Sequence, residues 1–188
     1  MIYNRILCIG DSLTYGSRDQ YERGYPAELA QLLNSKWEGQ FFSIANQSWP
    51  GIRSGELLKR VHTCLNIFKG EVFAVCLMIG TNDTQLKIPV DVFADNVYQL
   101  IKNCQIAASA VVVGGLPTVS KIGLFSYDCE TQDLLNEYNI KLEHMCNTLE
   151  VPFVNMDSLH GMQIDKVHFG NDGYKKMAKL WMEAIESL

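Results

Sequence analysis

The stretch Arg5-Ile6-Leu7-Cys8-Ile9-Gly10-Asp11-Ser12-Leu13 decides how the rest of the chain is read. Arg5–Ile9 is a short apolar run without the polar alternation of a half-wet strand, so it is expected to be a strand buried on both faces, as in a parallel sheet. Gly10 permits a sharp turn out of that strand. Asp11 and Ser12 then stand where open parallel sheets bind ligands, just beyond the carboxyl end of a strand.

Working outward, the same alternation recurs. Strands are expected at Phe41–Ala45, Glu71–Ile79, Ala110–Gly114 and Val151–Asn155. Between them lie helical patterns. Tyr25–Lys36 has Pro26 in its first turn and Leu29, Leu32 and Leu33 on one face. Ser54–Phe68 spaces Leu57, Leu58, Val61 and Leu65 helically, and Val90–Ala107 does so with Val97, Leu100 and Ile101. Gln132–Leu149 and Asp172–Leu188 complete the set. Strands separated by helices of this length imply parallel βαβ units. The expectation is an α/β fold: a three-layer α/β/α sandwich on a parallel sheet of about five strands. The span 1–188 is expected to form a single domain, and the irregular stretch 117–130 to be a loop over the site.

Composition sets limits. The 188 residues are 47% hydrophobic and 20% charged, which fits a globular core and not a disordered chain. The net charge of −5 and the lack of a Lys/Arg cluster argue against nucleic acid as a partner. No run of about 18 apolar residues could cross a membrane. The first apolar run is too short for a secretory signal and leads straight into Ser12, so a cytoplasmic location is expected. Cys8, Cys64, Cys76, Cys104, Cys129 and Cys146 include no CxxC pair, and all six are expected to be reduced and structural.

The residues after each strand carry the chemistry. Ser12 is a nucleophile candidate, but a serine hydroxyl needs a base beside it. Alone, Gly10-Asp11-Ser12 reads more readily as a helix cap. His62 and His144 fall in helical patterns away from the strand ends. His160 and His168 each belong to an Asp-x-x-His unit, Asp157–His160 and Asp165–His168, a spacing that can set a carboxylate against an imidazole. Spacing does not choose between them. Acyl transfer also needs donors aimed at the developing oxyanion. The Ser12 N–H, the Gly51 N–H and the Asn82 side-chain amide are candidates, although Pro50-Gly51 also reads as a plain turn and Asn82 as a loop cap. A third arrangement, a metal held by Asp157, His160, Asp165 and His168, is allowed by spacing but leaves the glycine and asparagine segments unexplained.

Taken together, these segments resemble the GDSL family of esterases and lipases, in its SGNH hydrolase branch. Gly10-Asp11-Ser12-Leu13 looks like the first block of that family. Asn46 through Gly51 is similar to the second, Gly80-Thr81-Asn82-Asp83 to the third, and Asp165-Lys166-Val167-His168-Phe169 with Gly173-Tyr174 to the fifth. The resemblance implies a flavodoxin-like fold and an esterase acting on a small-molecule ester, with no cofactor and no metal. It implies Ser12 as nucleophile and oxyanion donor, Gly51 and Asn82 as the other donors, His168 as general base and Asp165 as its orienting partner. It also selects the second Asp-x-x-His unit. Trp49-Pro50 stands where the family often has small polar residues, and Gly114-Gly115-Leu116-Pro117 is a second departure. Trp49 and Asp11 are expected to touch substrate. Short acyl or acetyl esters are favoured; longer acyl chains, as in a lysophospholipase or thioesterase, and a non-catalytic binding module are the alternatives.

Overall fold

The computed structural model describes residues 2–68, 71–119 and 129–188. The segment 120–128, which forms most of the expected loop over the site, lies outside the described residues.

Five strands make one parallel sheet: β1 (Ile2–Gly10), β2 (Gln40–Ser48), β3 (Val72–Met78), β4 (Ala108–Gly114) and β5 (Phe153–Val154). Their order is β2-β1-β3-β4-β5, the doubly wound arrangement of flavodoxin-like folds. Ile6–Ile9 and Ala74–Met78 are buried essentially completely, as strands covered on both faces must be. Strand β1 runs further than its apolar core because Ile2–Arg5 pair with Gln40–Ser43. Strand β5 is shorter than expected, with only Phe153 and Val154 paired to Val113 and Gly114.

Seven α-helices and one short 3-10 turn connect the strands in the described residues: α1 (Ser12–Tyr15), α2 (Gly24–Lys36), α3 (Ser54–Leu65), α4 (Thr81–Gln85), α5 (Val90–Ala107), α6 (Cys129–Thr148) and α7 (Asn171–Glu186), with the turn at Asp157–Leu159. Right-handed crossovers put helices that lead leftward and rightward across the sheet on opposite faces. Accordingly α2 packs against α7 on one face, and α3, α5 and α6 pack in series on the other. Helix α7 buries Tyr174, Met177, Ala178, Trp181 and Ile185 along one stripe. Trp181 is fully buried and stacks on Tyr25 of α2 at 5.3 Å between ring centroids, tying the two helices together. Truncating such a tryptophan typically costs about 3–5 kcal/mol.

The five described cysteines, Cys8, Cys64, Cys76, Cys104 and Cys146, are free and buried. Burial pushes the thiols of Cys104 and Cys146 up to about 12, so they pack as small hydrophobes. Among the described residues no helix is long and apolar enough to cross a membrane.

The strand order reverses between β1 and β3, since β1 is followed in the chain by its left neighbour and β3 by its right. A crevice opens at that switch point, outside the carboxyl ends of the strands. The segments after β1, β2 and β3 all end there.

Candidate active site

Strand β1 delivers Ser12 directly. Gly10 ends the strand at a place no side chain could occupy: a Cβ there would lie 2.3 Å from both the Met78 carbonyl and the Thr14 hydroxyl. Asp11 then caps α1, its Oδ1 accepting the Leu13 N–H at 3.0 Å. Ser12 is the first residue of α1, where a backbone N–H has no intrahelical acceptor. Gly16 ends the helix in the left-handed region at φ 93°.

The segment after β2 folds over this helix start. The Trp49 N–H donates to the Gly10 carbonyl at 3.1 Å, and the Ile52 N–H closes a turn on the Trp49 carbonyl at 3.2 Å. Proline second and glycine third, with Gly51 at φ 82°, is the type II pattern. The turn reading of Gly51 is thus the observed one, and the residue lines the Ser12 cleft. Nothing lies within 4 Å of a Cβ added to Gly51, so its face is open.

Helix α4 supplies Asn82, whose Nδ2 donates to the Ile52 carbonyl at 2.9 Å. That bond fixes which end of the amide is the NH2 group and leaves its second hydrogen free. Asp83 locks the neighbouring framework. Its carboxylate accepts the Ser54 N–H at 2.9 Å and the Ser54 hydroxyl at 2.5 Å, joining α4 to the start of α3. Burial pushes the Asp83 carboxyl up, against the opposing pull of those Ser54 bonds.

The imidazole beside Ser12 comes from the segment before α7. A tight loop, closed by the Ile164 N–H on the His168 carbonyl at 2.8 Å, holds Asp165 and His168 together. Asp165 Oδ1 accepts the N–H groups of Val167 at 2.9 Å and His168 at 2.7 Å. Its Oδ2 lies 2.9 Å from His168 Nδ1, and His168 Nε2 lies 2.9 Å from Ser12 Oγ. Burial by itself would raise the Asp165 carboxyl. The backbone donors of His168 and Val167 and the His168 ring outweigh it and hold the group well below the usual carboxylate range. Asp165 is therefore ionised and fixes Nδ1 as the protonated nitrogen, leaving Nε2 to accept from serine.

Ser12, Gly51, Asn82 and His168 line one cleft of about 340 Å³, with Asp165 behind the imidazole. Asp157 and His160 stand apart from it. Both are exposed, and His160 Nδ1 is 2.8 Å from the Thr118 hydroxyl. No group of three or more His, Cys, Asp or Glu residues that could hold a metal ion comes together among the described residues. His62 and His144 are exposed on α3 and α6. Asn46 is structural, donating from Nδ2 to the Thr14 carbonyl at 2.9 Å.

Two placements correct the sequence reading. Asp11 is fully buried and cannot touch substrate. Its carboxylate faces inward, and Oδ2 has no hydrogen-bond partner. Burial, with the Asp83 carboxylate adding to it, raises the group to about 7, against Leu13 and Thr81 groups that lower it. Trp49 does not wall the Ser12 cleft. It lines a second cleft beyond the Pro50-Gly51 turn, where it lies against the Arg60 guanidinium of α3.

Sequence reasoning missed Arg18. It lines the Ser12 cleft, has φ 70°, and donates from Nε to Asp165 Oδ2 at 3.2 Å. The two residues are 147 positions apart, and no local pattern announces the contact.

A model of the GDSL-like lipase/acylhydrolase family matches residues 8–176. No curated protein matches the chain in sequence. Among solved structures, the M. smegmatis aryl esterase is 19% identical with a TM-score of 0.81, covering 98% of this chain and 99% of its own. The acetylxylan esterase from Geobacillus stearothermophilus is 16% identical with a TM-score of 0.81, covering 97% and 94%. A lipolytic G-D-S-L family member from Veillonella parvula is 18% identical with a TM-score of 0.78, covering 98% and 99%. At these identities the likeness is one of fold.

Proposed function

The chain belongs to the GDSL-like lipase/acylhydrolase family and is a carboxylic ester hydrolase; from that premise we propose that it works as a serine esterase through an acyl-enzyme on Ser12. The observation that carries this reading is the unbroken run of short contacts from Asp165 through both nitrogens of His168 to Ser12 Oγ, each 2.9 Å.

In the first half-reaction, His168 Nε2 takes the proton as Ser12 Oγ attacks the ester carbonyl. Asp165 stabilises the imidazolium so formed without itself taking the proton. Negative charge grows on the carbonyl oxygen, and the Ser12 N–H, the Gly51 N–H and the free hydrogen of Asn82 Nδ2 are the donors for it. His168 then protonates the departing alcohol oxygen. In the second half-reaction it activates water, which releases the acid and restores Ser12.

The modest size of the cleft supports short acyl groups as substrates. Rates across acetyl, butyryl, octanoyl and palmitoyl p-nitrophenyl esters test this. A fall in kcat/KM beyond butyryl is expected. Faster turnover of the octanoyl or palmitoyl ester would favour the lysophospholipase or thioesterase reading instead.

A further inference from the structure

The cleft beyond the Pro50-Gly51 turn has no part in the mechanism so far. Its volume is about 420 Å³, and it shares Pro50 and Gly51 with the Ser12 cleft. Gly51 carries no side chain to divide the two spaces, and nothing lies within 4 Å of where a Cβ would stand. A substrate held at Ser12 thus meets no side chain at Gly51 on the way to the second cleft.

The far wall of that cleft has a defined chemistry. Trp49 is half-buried, and the Arg60 guanidinium lies over its ring at 5.4 Å from the centroid. Cation–π contact of this kind orients a guanidinium while leaving its N–H donors available. Glu56, Lys59 and Arg60 recur at helical spacing along one face of α3. Glu56 is already engaged: its carboxylate accepts from the Arg53 guanidinium at 2.7 Å and from the Arg53 N–H at 3.1 Å. That pair is neutral. The cleft lining carries the paired Glu56 carboxylate, which Lys59 also attracts, together with the two exposed cations Lys59 and Arg60, so its balance is positive. Two adjacent cations beside an aromatic face, on a chain of net charge −5, make a local site for an anion.

Which part of an ester reaches it follows from His168. That residue must stand beside the leaving oxygen to protonate it, and it comes from the segment that leads into α7. Arg60 is on α3, and Trp49 lies against it beyond the Pro50-Gly51 turn. The portion that extends over Gly51 is therefore the acyl portion.

We propose that the Trp49–Lys59–Arg60 cleft is a second subsite of the same active site and receives a carboxylate at the far end of the substrate's acyl portion. The preferred substrates are then half-esters of dicarboxylic acids. Hydrolysis of such an ester releases an alcohol and a dicarboxylate, with water as the only co-reactant. The proposal rests on the reading of Ser12 as the nucleophile.

The test compares three p-nitrophenyl esters, the acetate, hemisuccinate and hemiglutarate, together with 4-acetoxybenzoate, which carries its charge on the leaving group. The readout is each kcat/KM divided by that for the acetate, in wild type, Arg60→Ala, Arg60→Lys and Lys102→Ala. Lys102 is a surface cation on α5 outside both clefts. In Arg60→Ala the ratio for the better hemiester should fall about tenfold, with a smaller fall in Arg60→Lys, no change in Lys102→Ala, and no change for 4-acetoxybenzoate. Added salt should erode the wild-type preference. An unchanged hemiester ratio in Arg60→Ala overturns the proposal, and so does a loss confined to 4-acetoxybenzoate. A wild type inactive on every ester, including the acetate, would instead overturn the esterase reading on which the proposal stands.

Discussion

Asn82 Nδ2 donates to the Ile52 carbonyl at 2.9 Å, so the turn that carries Gly51 and the helix that carries Asn82 are held by one hydrogen bond. The amide is thereby fixed before any substrate arrives, which is the condition under which a donor stabilises charge at no reorganisation cost. Replacing Asn82 with alanine should lower kcat for p-nitrophenyl acetate by about 10²–10³-fold with little change in KM. Steady-state kinetics on the folded variant checks this. A rise in KM at unchanged kcat would mean that Asn82 binds ground state and transition state equally.

Gly51→Ala should damage both stability and rate. At φ 82° a side chain costs about 1–2 kcal/mol, even though the space around the added Cβ is open. A turn that relaxes toward negative φ rotates the Gly51 N–H away from the cleft. Chemical denaturation and kcat, measured on the same preparation, should fall together. Wild-type stability would show that the turn tolerates the left-handed residue, and wild-type kcat that the Gly51 N–H is not a donor.

Asp165→Asn should leave the fold intact and lower kcat by up to about 10⁴-fold, because the amide cannot stabilise the imidazolium and can present the wrong hydrogen to Nδ1. The Val167 and His168 N–H groups can still bond to the amide oxygen, so the loop should hold. Circular dichroism and single-turnover rates separate the two effects. Activity within tenfold of wild type would remove Asp165 from the mechanism.

Asp11 makes a prediction about pH. Its folded-state carboxyl is raised, chiefly by burial, from 3.8 to about 7. Between those values the native state holds a proton that the unfolded chain has released, so stability is fully present at low pH and falls as pH rises toward 7. A shift of that size corresponds to an upper limit on the order of 4 kcal/mol. Asp11→Asn keeps the acceptor for the Leu13 N–H and removes the ionisation. Its stability should be flatter between pH 4 and 8, and higher than wild type at pH 8. Parallel slopes for the two proteins would mean that Asp11 ionises freely in the folded state.

The three layers and the parallel sheet of about five strands were legible because most strands are compact apolar runs and the long helices carry their own stripes, whereas the strand order was not. Val90–Ala107 falls on the same residues in both readings. What escaped was short or tertiary. Helices α1 and α4 have four and five residues, too few for any periodicity, yet they carry Ser12 and Asn82. Adjacency to Ser12 made Asp11 look like a substrate ligand, but its surroundings come from Thr81 and Asp83 on another segment. Trp49 has the right neighbour in the chain, but it lines the cleft beyond the Pro50-Gly51 turn and not the one that holds Ser12. Arg18 reaches Asp165 through a loop whose course only the folded chain defines. Such a loop has no hydrophobic period, and its contacts are set by the elements at its two ends.

Labelling with a fluorophosphonate, followed by mass spectrometry of the digested protein, tests the role of Ser12 most directly. Ser12 should take up one phosphonyl group with concurrent loss of p-nitrophenyl acetate turnover, and Ser12→Ala should neither label nor turn over while remaining folded. Modification at another residue, or an active Ser12→Ala variant, would contradict the assignment of Ser12 as nucleophile.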